Sequence, residues 1–192
     1  TNPSAAGTWA KVGSYTIGQP LGRRCVIQYG AECVVITENG TFPLSALLQS
    51  GDERAKFALS YKIEPAFMDA ARSYGSNFGW SAITFPAYDA LLVNVPLAED
   101  GEHEQYVMNT LTKSWCKFTE WDAEDFAIFN GALYFCKSTI VYKAWTGTDD
   151  NGNNIIFYAK QAFQDFGDPL QKHVQLFMPI LAVNGNIAYG AD

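Results

Sequence analysis

Short apolar runs joined by turn residues recur along this chain at nearly even spacing. Asn-Gly separates apolar runs at Asn39-Gly40, Asn130-Gly131 and Asn184-Gly185, and residues 86–89 separate another pair. Asn-Gly in this context indicates a β-hairpin, because both residues tolerate the positive φ angles of a type I′ turn. The four turns therefore predict one β-hairpin about every 40–50 residues.

This repeat predicts an all-β fold. A β-rich unit of about 40–50 residues is typical of a propeller blade, so we expect a β-propeller-like repeat of antiparallel blades, partial or four-bladed. A β-sandwich is the alternative, because its strands are equally short and turn-bounded. We expect residues 1–192 to form a single propeller-like domain and to be a fragment of a longer protein.

The segment 80–145 carries the clearest strand pattern. We expect it to be almost wholly antiparallel, with hairpins turning at 86–89, 111–114 and Asn130-Gly131 and no helix longer than two turns in 105–145. Alternating burial along these strands predicts a set of core side chains. They are Phe126, Ile128, Leu133, Phe135 and Val141.

Residues 43–76 break the β pattern. Apolar residues recur there at helical spacing, first at Leu44, Leu47 and Leu48 and again from Phe67 to Tyr74. Glu64-Pro65 suits a helix start and Gly75 suits a helix end. We therefore expect a helical insertion of one or two short helices, which could carry a contact surface.

Charge and composition limit the partners. The chain has 13 basic and 20 acidic side chains, a formal net charge of −7, which argues against nucleic-acid binding through phosphates. No apolar run approaches the roughly 20 residues of a membrane span. Aromatic residues make up 15% of the chain, which suits half-buried strands.

Four cysteines lie in apolar contexts, at Cys25, Cys33, Cys116 and Cys136, and none forms a C-x-x-C pair. We expect four buried free thiols in a reducing compartment. One disulfide between Cys25 and Cys33, across a hairpin, is the alternative.

The sequence predicts no catalytic constellation. His103 falls in an acidic loop and His173 in an alternating strand, and no nucleophile elbow, P-loop or dinucleotide fingerprint is present. We therefore expect no enzyme activity, no catalytic residues and no cofactor.

One loop has a metal-like pattern. Asp149, Asn151 and Asn153 alternate as oxygen ligands do in calcium loops. Gly152 stands at the fourth position of the loop, whereas an EF-hand needs glycine at the sixth. We therefore expect an exposed turn and no metal site, because Asp and Asn side chains bond to nearby backbone amides, and a calcium loop is the alternative.

A second candidate is a sugar site. Trp115, Trp121 and Trp145 could stack on sugar rings, and Asp122 and Asp125 could act as the paired carboxylates of a glycosidase. We expect instead that the tryptophans pack between sheets while the acids face water, and the sugar site is the alternative. The placement of the tryptophans discriminates a carbohydrate-binding or carbohydrate-cleaving β domain from a purely structural one.

Residues 121–147 read W-D-A-E-D-F-A-I-F-N-G-A-L-Y-F-C-K-S-T-I-V-Y-K-A-W-T-G, followed by T-D-D-N-G. With residues 163–169 and Lys172, this segment resembles the propeller-type structural proteins of tailed bacteriophages and prophages. That family includes tail hub, nozzle and packaged-DNA-stabilising proteins below the portal. No catalytic residues carry over from it.

The resemblance implies a virion structural protein of the tail or neck, and the carbohydrate-binding or carbohydrate-cleaving alternative would be a domain of a receptor-binding tail protein. Such a structural protein acts in assembly, DNA retention or DNA passage, and is assembled in the bacterial host cytoplasm. Its partners would be other phage tail and neck proteins and further copies of itself in a homo-oligomeric ring, for which six-fold symmetry is one expectation.

Overall fold

The computed structural model describes residue 14 and residues 17–50, 57–99, 101–149, 152–156 and 158. The chain divides into two units, Thr1–Gly147 and Thr148–Asp192, and each is considered by itself. Within the described residues all named helices and strands belong to the first unit. No helix in this described part is both long and apolar enough to cross a membrane.

The first sheet is a three-stranded antiparallel meander. Its strands, in spatial order, are β1 (Val26–Tyr29), β2 (Glu32–Thr37) and β3 (Gly40–Pro43). Tyr29 pairs with Glu32, so Gly30 and Ala31 form a two-residue turn. Gly30 has a φ of 62°, which glycine adopts without strain at the first position of a type II′ turn.

Two α-helices occupy the segment for which the sequence predicts helical structure. They are α1 (Leu44–Ser50) and α2 (Glu64–Tyr74), with a 3₁₀ helix, Leu59–Ile63, directly before α2. Pro65 lies in the first turn of α2, where a missing N–H costs no hydrogen bond. Phe67, Ala70 and Ala71 are buried along one face, since residues three and four apart share a helix face.

The second sheet is a four-stranded antiparallel meander and forms the centre of the unit. Its strands, in spatial order, are β4 (Ser81–Phe85), β5 (Ala90–Pro96), β6 (His103–Asn109) and β7 (Trp115–Phe118). The predicted turns at 86–89 and 111–114 are confirmed. A short 3₁₀ helix, Pro86–Tyr88, leads into Asp89, which has a left-handed φ of 49°.

The third sheet is a further antiparallel meander. It comprises β8 (Asp125–Phe129), β9 (Ala132–Lys137) and β10 (Ile140–Lys143), with β9 in the middle. Asn130 and Gly131 have φ angles of 47° and 73°, as a type I′ turn requires, so this predicted hairpin is confirmed. Residues 105–145 contain no helix, as predicted.

Strand β5 is buried along its whole length because both faces of the second sheet are covered. Val93, Val95 and Tyr106 on one face pack in a core with Phe67 of α2 and Trp80. Leu92 and Val107 on the other face share a core with side chains of the third sheet, Phe126 and Leu133. The second sheet therefore separates two hydrophobic cores.

A row of buried polar side chains crosses three strands of the second sheet. Ser81 pairs with Asn94, and Asn94 pairs with Gln105, on three neighbouring strands. All three are buried. The Gln105 amide donates to Asn94 Oδ1 at 2.9 Å, and the Asn94 amide donates to the Gly79 carbonyl at 3.2 Å. These bonds compensate part of the cost of burying the two amides.

For the described residues, the prediction that the fold is mostly β is confirmed, and the turn predicted at Asn184-Gly185 lies outside them. The turn predicted at Asn39-Gly40 is wrong by one residue. Thr37 pairs with Gly40, so the turn comprises Glu38 and Asn39, and Gly40 opens β3. A Cβ at Gly40 would lie 2.8 Å from Ser60 Oγ. Glycine is therefore needed there for a close tertiary approach as well as for its backbone φ of 144°.

The predicted core is correct for Phe126 and Leu133 and wrong for two other residues. Val141 is 69% exposed, because it pairs with Cys136 and faces away from Phe135. Ile128 lies on the correct face but is 44% exposed, because β8 is an edge strand. Phe135 is half-buried.

The cysteine predictions need two corrections. All four thiols are free, and the register of β1 and β2 places Cys33 opposite Gln28, so the alternative of a Cys25–Cys33 disulfide is wrong. Cys33 and Cys116 are exposed rather than buried. Both lie in strands with an uncovered side, which the apolar sequence context did not indicate.

Candidate functional site

A cleft of about 270 Å³ opens beside the edge strand β7 of the second sheet. The β4–β5 turn, the end of β6, the start of β7 and the residue after Ala144 form its walls. Four of its lining residues are aromatic, namely Tyr88, Trp115, Phe118 and Trp145. A concave, largely aromatic surface of this kind is the usual form of a small-molecule site.

The wall of the cleft includes a compact stack of three rings. Trp145 is nearly parallel to Phe85, with centroids 5.5 Å apart, and to Tyr88, with centroids 5.0 Å apart. Phe85 is buried and holds the stack in the core, whereas the Tyr88 side chain is 55% exposed. One part of the stack is therefore rigidly packed while another part faces solvent.

Two residues of the cleft have left-handed backbone conformations. Asp89 has a φ of 49° and Trp145 a φ of 50°. Asp tolerates this region, but Trp is rarely found there, and such a residue costs about 1–3 kcal/mol unless its surroundings determine its conformation. Here the backbone is fixed by neighbouring bonds, since Ala144 N donates to Leu133 O at 2.9 Å and Thr110 N donates to Asp89 O at 2.6 Å.

Asn109 fixes the conformation of the β6–β7 loop, which forms the polar side of the cleft. Its Oδ1 accepts hydrogen bonds from Leu111 N at 3.0 Å and from Thr112 N at 2.9 Å. This Asx turn fixes the β6–β7 loop and places Ser114 beside Asn109, because Asn109 N donates to Ser114 O at 2.9 Å. The bonds to Oδ1 leave the Asn109 amide group as a hydrogen-bond donor at the cleft.

The three tryptophans singled out in the sequence have different roles. Trp115 lines the cleft, and its indole N–H donates to Leu59 O at 3.0 Å. Trp145 lines the same cleft. Trp121 stacks on Phe135 and meets Trp145 edge-on at 5.6 Å, so it supports the cleft from within the aromatic cluster. All three are half-buried.

The two candidate carboxylates do not line this cleft. Asp125 forms an ion pair with Arg24. Asp122 accepts a hydrogen bond from Lys137 Nζ at 2.7 Å and another from the His103 backbone N–H at 3.3 Å. Partial burial alone would raise the pKa of Asp122, but these hydrogen bonds outweigh it and hold that pKa below its ordinary value.

His103 is part of this structural contact. Its side chain is buried, and its Nδ1 lies 2.8 Å from the Gly101 carbonyl, an acceptor, so Nδ1 carries the proton. The backbone of His103, rather than its ring, contacts Asp122. His173 lies outside the described residues.

The calcium-like loop belongs to the second unit. Asp149 Oδ1 accepts a hydrogen bond from Gly152 N at 2.9 Å, as in an Asx turn, and Asn153 is exposed. Asn151 lies outside the described residues. Within the part of the chain that the structure describes, no group of three or more His, Cys, Asp or Glu side chains could hold a metal ion.

The outer face of the third sheet is a separate candidate surface. Phe129 is 65% exposed and Val141 is 69% exposed. Between them on the same face lie Tyr134 and Cys136, both half-buried, and the exposed Ala127. We call this set of five residues the outer patch. Two charged residues lie on the same face beside it, namely the exposed Lys143 opposite Tyr134 and the half-buried Asp125 opposite Cys136.

Sequence reasoning missed Tyr88, Asp89 and Asn109 as site residues. Tyr88 and Asp89 belong to residues 86–89, which the sequence marks as a hairpin turn. A turn pattern does not indicate that an adjacent aromatic ring and carboxylate line a binding cleft. Asn109 ends a predicted strand before a polar loop, which is a pattern typical of an Asx turn. Only the fold brings these residues to Trp145.

We compared the chain with protein-family models, with curated proteins and with solved structures, and none of the three comparisons finds a match.

Proposed function

We propose that this chain is a structural component of a tailed-bacteriophage particle. In this proposal it belongs to the tail or neck, as a hub or nozzle component below the portal, and acts in assembly, DNA retention or DNA passage. The starting point is the sequence resemblance of residues 121–147, which form the third sheet and the residues flanking it.

The observation that carries the proposal is the outer patch on the third sheet. Phe129 and Val141 lie on one sheet face with more than half of each side chain exposed. Exposed apolar side chains rimmed by charged ones, here Lys143 and Asp125, are typical of protein–protein contact surfaces. A protein that works by assembling with further copies or with neighbouring tail proteins needs such a face, and an isolated soluble domain does not.

The sheet topology supports the propeller part of the proposal. Strands β4 to β7 form a four-stranded antiparallel meander, which is the composition of one propeller blade. The first and third sheets are three-stranded meanders of the same kind. In a propeller the faces of successive blades pack on one another, as the second and third sheets do through the core that contains Leu92 and Phe126.

Charge is also compatible with this role. With a net charge of −7 the surface of the chain would not bind DNA phosphates strongly. DNA can slide past a surface that does not bind it. A component of a DNA channel benefits from this property.

The proposal is tested by the oligomeric state of the full chain. We expect light scattering after size exclusion to show an oligomer, and Phe129→Lys to shift it towards the monomer, because a charge on the outer patch would have to be buried. The matched control is Leu111→Lys, since Leu111 is 74% exposed but lies in the β6–β7 loop. It should leave the oligomer unchanged.

A monomer at every concentration would contradict assembly through this face. If Phe129→Lys leaves the oligomer unchanged, the interface between copies does not include the outer patch. The phage assignment itself is tested by electron microscopy of the parent particle, in which density for this chain outside the tail and neck would overturn it.

A further inference from the structure

We propose that the cleft beside β7 binds one neutral pyranose ring of a glycan. The residues that would hold the ring are Tyr88 and Trp145, through stacking, and Asp89, Asn109 and Ser114, through hydrogen bonds. This binding site is distinct from the outer patch, so it adds a recognition function to an assembly protein. It is also distinct from Asp122 and Asp125.

Stacking is available because of how Tyr88 is placed. The tyrosine ring stacks on Trp145 and on Phe85, with centroids 5.0 and 5.5 Å apart. Tyr88 is nonetheless 55% exposed and lines the cleft, so the exposed part of its ring is the surface on which a sugar would stack. The C–H groups on one face of a pyranose are apolar and weakly positive. They complement the negative face of an aromatic ring.

Hydrogen bonding determines which ligand suits the cleft. The Asp89 carboxylate only accepts hydrogen bonds, the Asn109 amide group donates them, and the Ser114 hydroxyl does both. Adjacent sugar hydroxyls also both donate and accept, so they match this set. An apolar side chain of a peptide would cover the Asp89 carboxylate without giving it a hydrogen bond, which is costly.

Charge and size narrow the ligand further. Asp89 lines the cleft, and the chain is acidic overall, so an acidic or phosphorylated sugar would be repelled. A volume of about 270 Å³ is at the lower end of ligand pockets, which suits one ring of a longer chain.

The cleft is also organised before any ligand arrives. Trp145 is held by ring contacts with Phe85 and Trp121, and Trp115 is held by its bond to Leu59 O. Aromatic side chains that are already fixed lose little conformational freedom on binding, so more of the contact energy appears as affinity.

The test uses the full chain labelled with ¹⁵N and follows the indole N–H signals of its tryptophans. The probes are the methyl glycosides of glucose, galactose and N-acetylglucosamine, titrated to tens of millimolar. We expect at least one of them to shift the signal of Trp145, which stacks on Tyr88. The signal of Trp115 should shift less, because its indole packs on the other face of the sheet, where its N–H donates to Leu59 O. Trp80 is buried and bonded to Tyr74 O, so its signal is an internal control and should not move.

Two variants and one matched control follow the same titration. Tyr88→Ala should raise the dissociation constant at least about tenfold, because the stacking platform is lost. Asp89→Asn should also weaken binding, while Asn still tolerates the left-handed backbone. Tyr61→Ala removes a tyrosine of similar exposure, 52%, outside the cleft and should bind as the parent does.

The proposal is overturned if none of the three glycosides shifts either signal, or if Tyr88→Ala binds as tightly as Tyr61→Ala. A parallel titration with p-cresol represents an aromatic peptide side chain. Shifts with p-cresol alone would assign the cleft to a peptide and also overturn the proposal. None of these results depends on the oligomeric state that tests the structural role.

Discussion

Trp121 stacks face to face on Phe135, with ring centroids 5.0 Å apart and planes 6° from parallel. Trp121 belongs to the connection between β7 and β8, and Phe135 to the middle strand of the third sheet. Phe135 also stacks on Tyr142, its neighbour on β10, at 5.4 Å. A single ring therefore joins the third sheet to the chain segment that leaves the second sheet.

The first prediction concerns this ring. Phe135→Ala should lower the free energy of unfolding by about 2–4 kcal/mol, because a half-buried ring and three aromatic contacts are lost. Urea denaturation followed by circular dichroism measures the change. Phe78→Ala is the matched control and should cost less than about 1 kcal/mol, since Phe78 is 71% exposed and lies outside the outer patch. Equal costs for the two variants would contradict this account.

The second prediction compares two glycines with the same backbone conformation. Gly22 and Gly131 have φ angles of 72° and 73°. A Cβ at Gly22 would lie 2.7 Å from Trp80 Cβ, whereas a Cβ at Gly131 would have nothing within 4 Å. Gly131→Ala should therefore cost only the left-handed strain of about 1–2 kcal/mol, and Gly22→Ala at least about 1 kcal/mol more.

Thermal unfolding of both variants gives the comparison. The backbone term is common to the two substitutions, so their difference reports the contact with Trp80. If Gly22→Ala is no less stable than Gly131→Ala, Gly22 does not pack closely on Trp80.

The third prediction is a pH dependence at Asp122. Its pKa is lowered in the folded protein, so the unfolded chain takes up the proton at higher pH. The stabilisation is then complete above the ordinary Asp pKa of about 3.9 and is lost as the pH falls below it. Asp122→Asn should be less stable than the parent by about 1 kcal/mol at pH 7, and the gap should close in acid.

Asn tolerates the left-handed φ of 46° at this position, so the backbone should not contribute to that gap. The control is Asp69→Asn, because the ion pair of Asp69 with Arg72 is exposed. It should change stability by less than about 0.5 kcal/mol. A gap at Asp122 that persists undiminished well below pH 3 would contradict the pKa argument.

The fourth prediction concerns thiol reactivity. Cys116 is exposed as a residue, but its Sγ is partly buried beside Val107 O, 3.6 Å away, and this burial raises the pKa of the thiol. The thiolate is the reactive form. Iodoacetamide at neutral pH should therefore alkylate the exposed Cys33 before Cys116, and the difference should narrow as the pH rises. Mass spectrometry of timed digests measures both rates. Cys116 reacting first, or a Cys25–Cys33 disulfide in the unreduced protein, would contradict the structure.

Local chemistry explains which features were predictable from the sequence. The Asn130-Gly131 turn depends on the φ angles of two adjacent residues, so the sequence suffices. Gly40 shows the opposite case, since its conformation is linked to the hydroxyl of Ser60 on another element. The exposure of Val141 depends on strand pairing, which fixes the face of each side chain and is not encoded in a short apolar run.

The cleft could be predicted only in part for the same reason. Trp115 and Trp145 were recognisable as candidates for stacking because of their residue type. Their joint placement beside Tyr88 and Asp89 depends on the packing of the third sheet on the second. The carboxylates considered as a glycosidase pair, Asp122 and Asp125, form ion pairs with Lys137 and Arg24 instead.

The polar row Ser81–Asn94–Gln105 has a consequence for how the chain folds. If β6 slid by two residues along β5, Gln105 would face Leu92 or Pro96, and Asn94 would lose its amide partner in a water-free interior. Apolar neighbours alone would accept such a shift at little cost, because Leu and Val are nearly interchangeable partners. The two amides thus specify the register of the central strands. The observed pairing of β5 with β6 has a lower free energy than pairings shifted by two residues, so chains that pair in a shifted register do not accumulate.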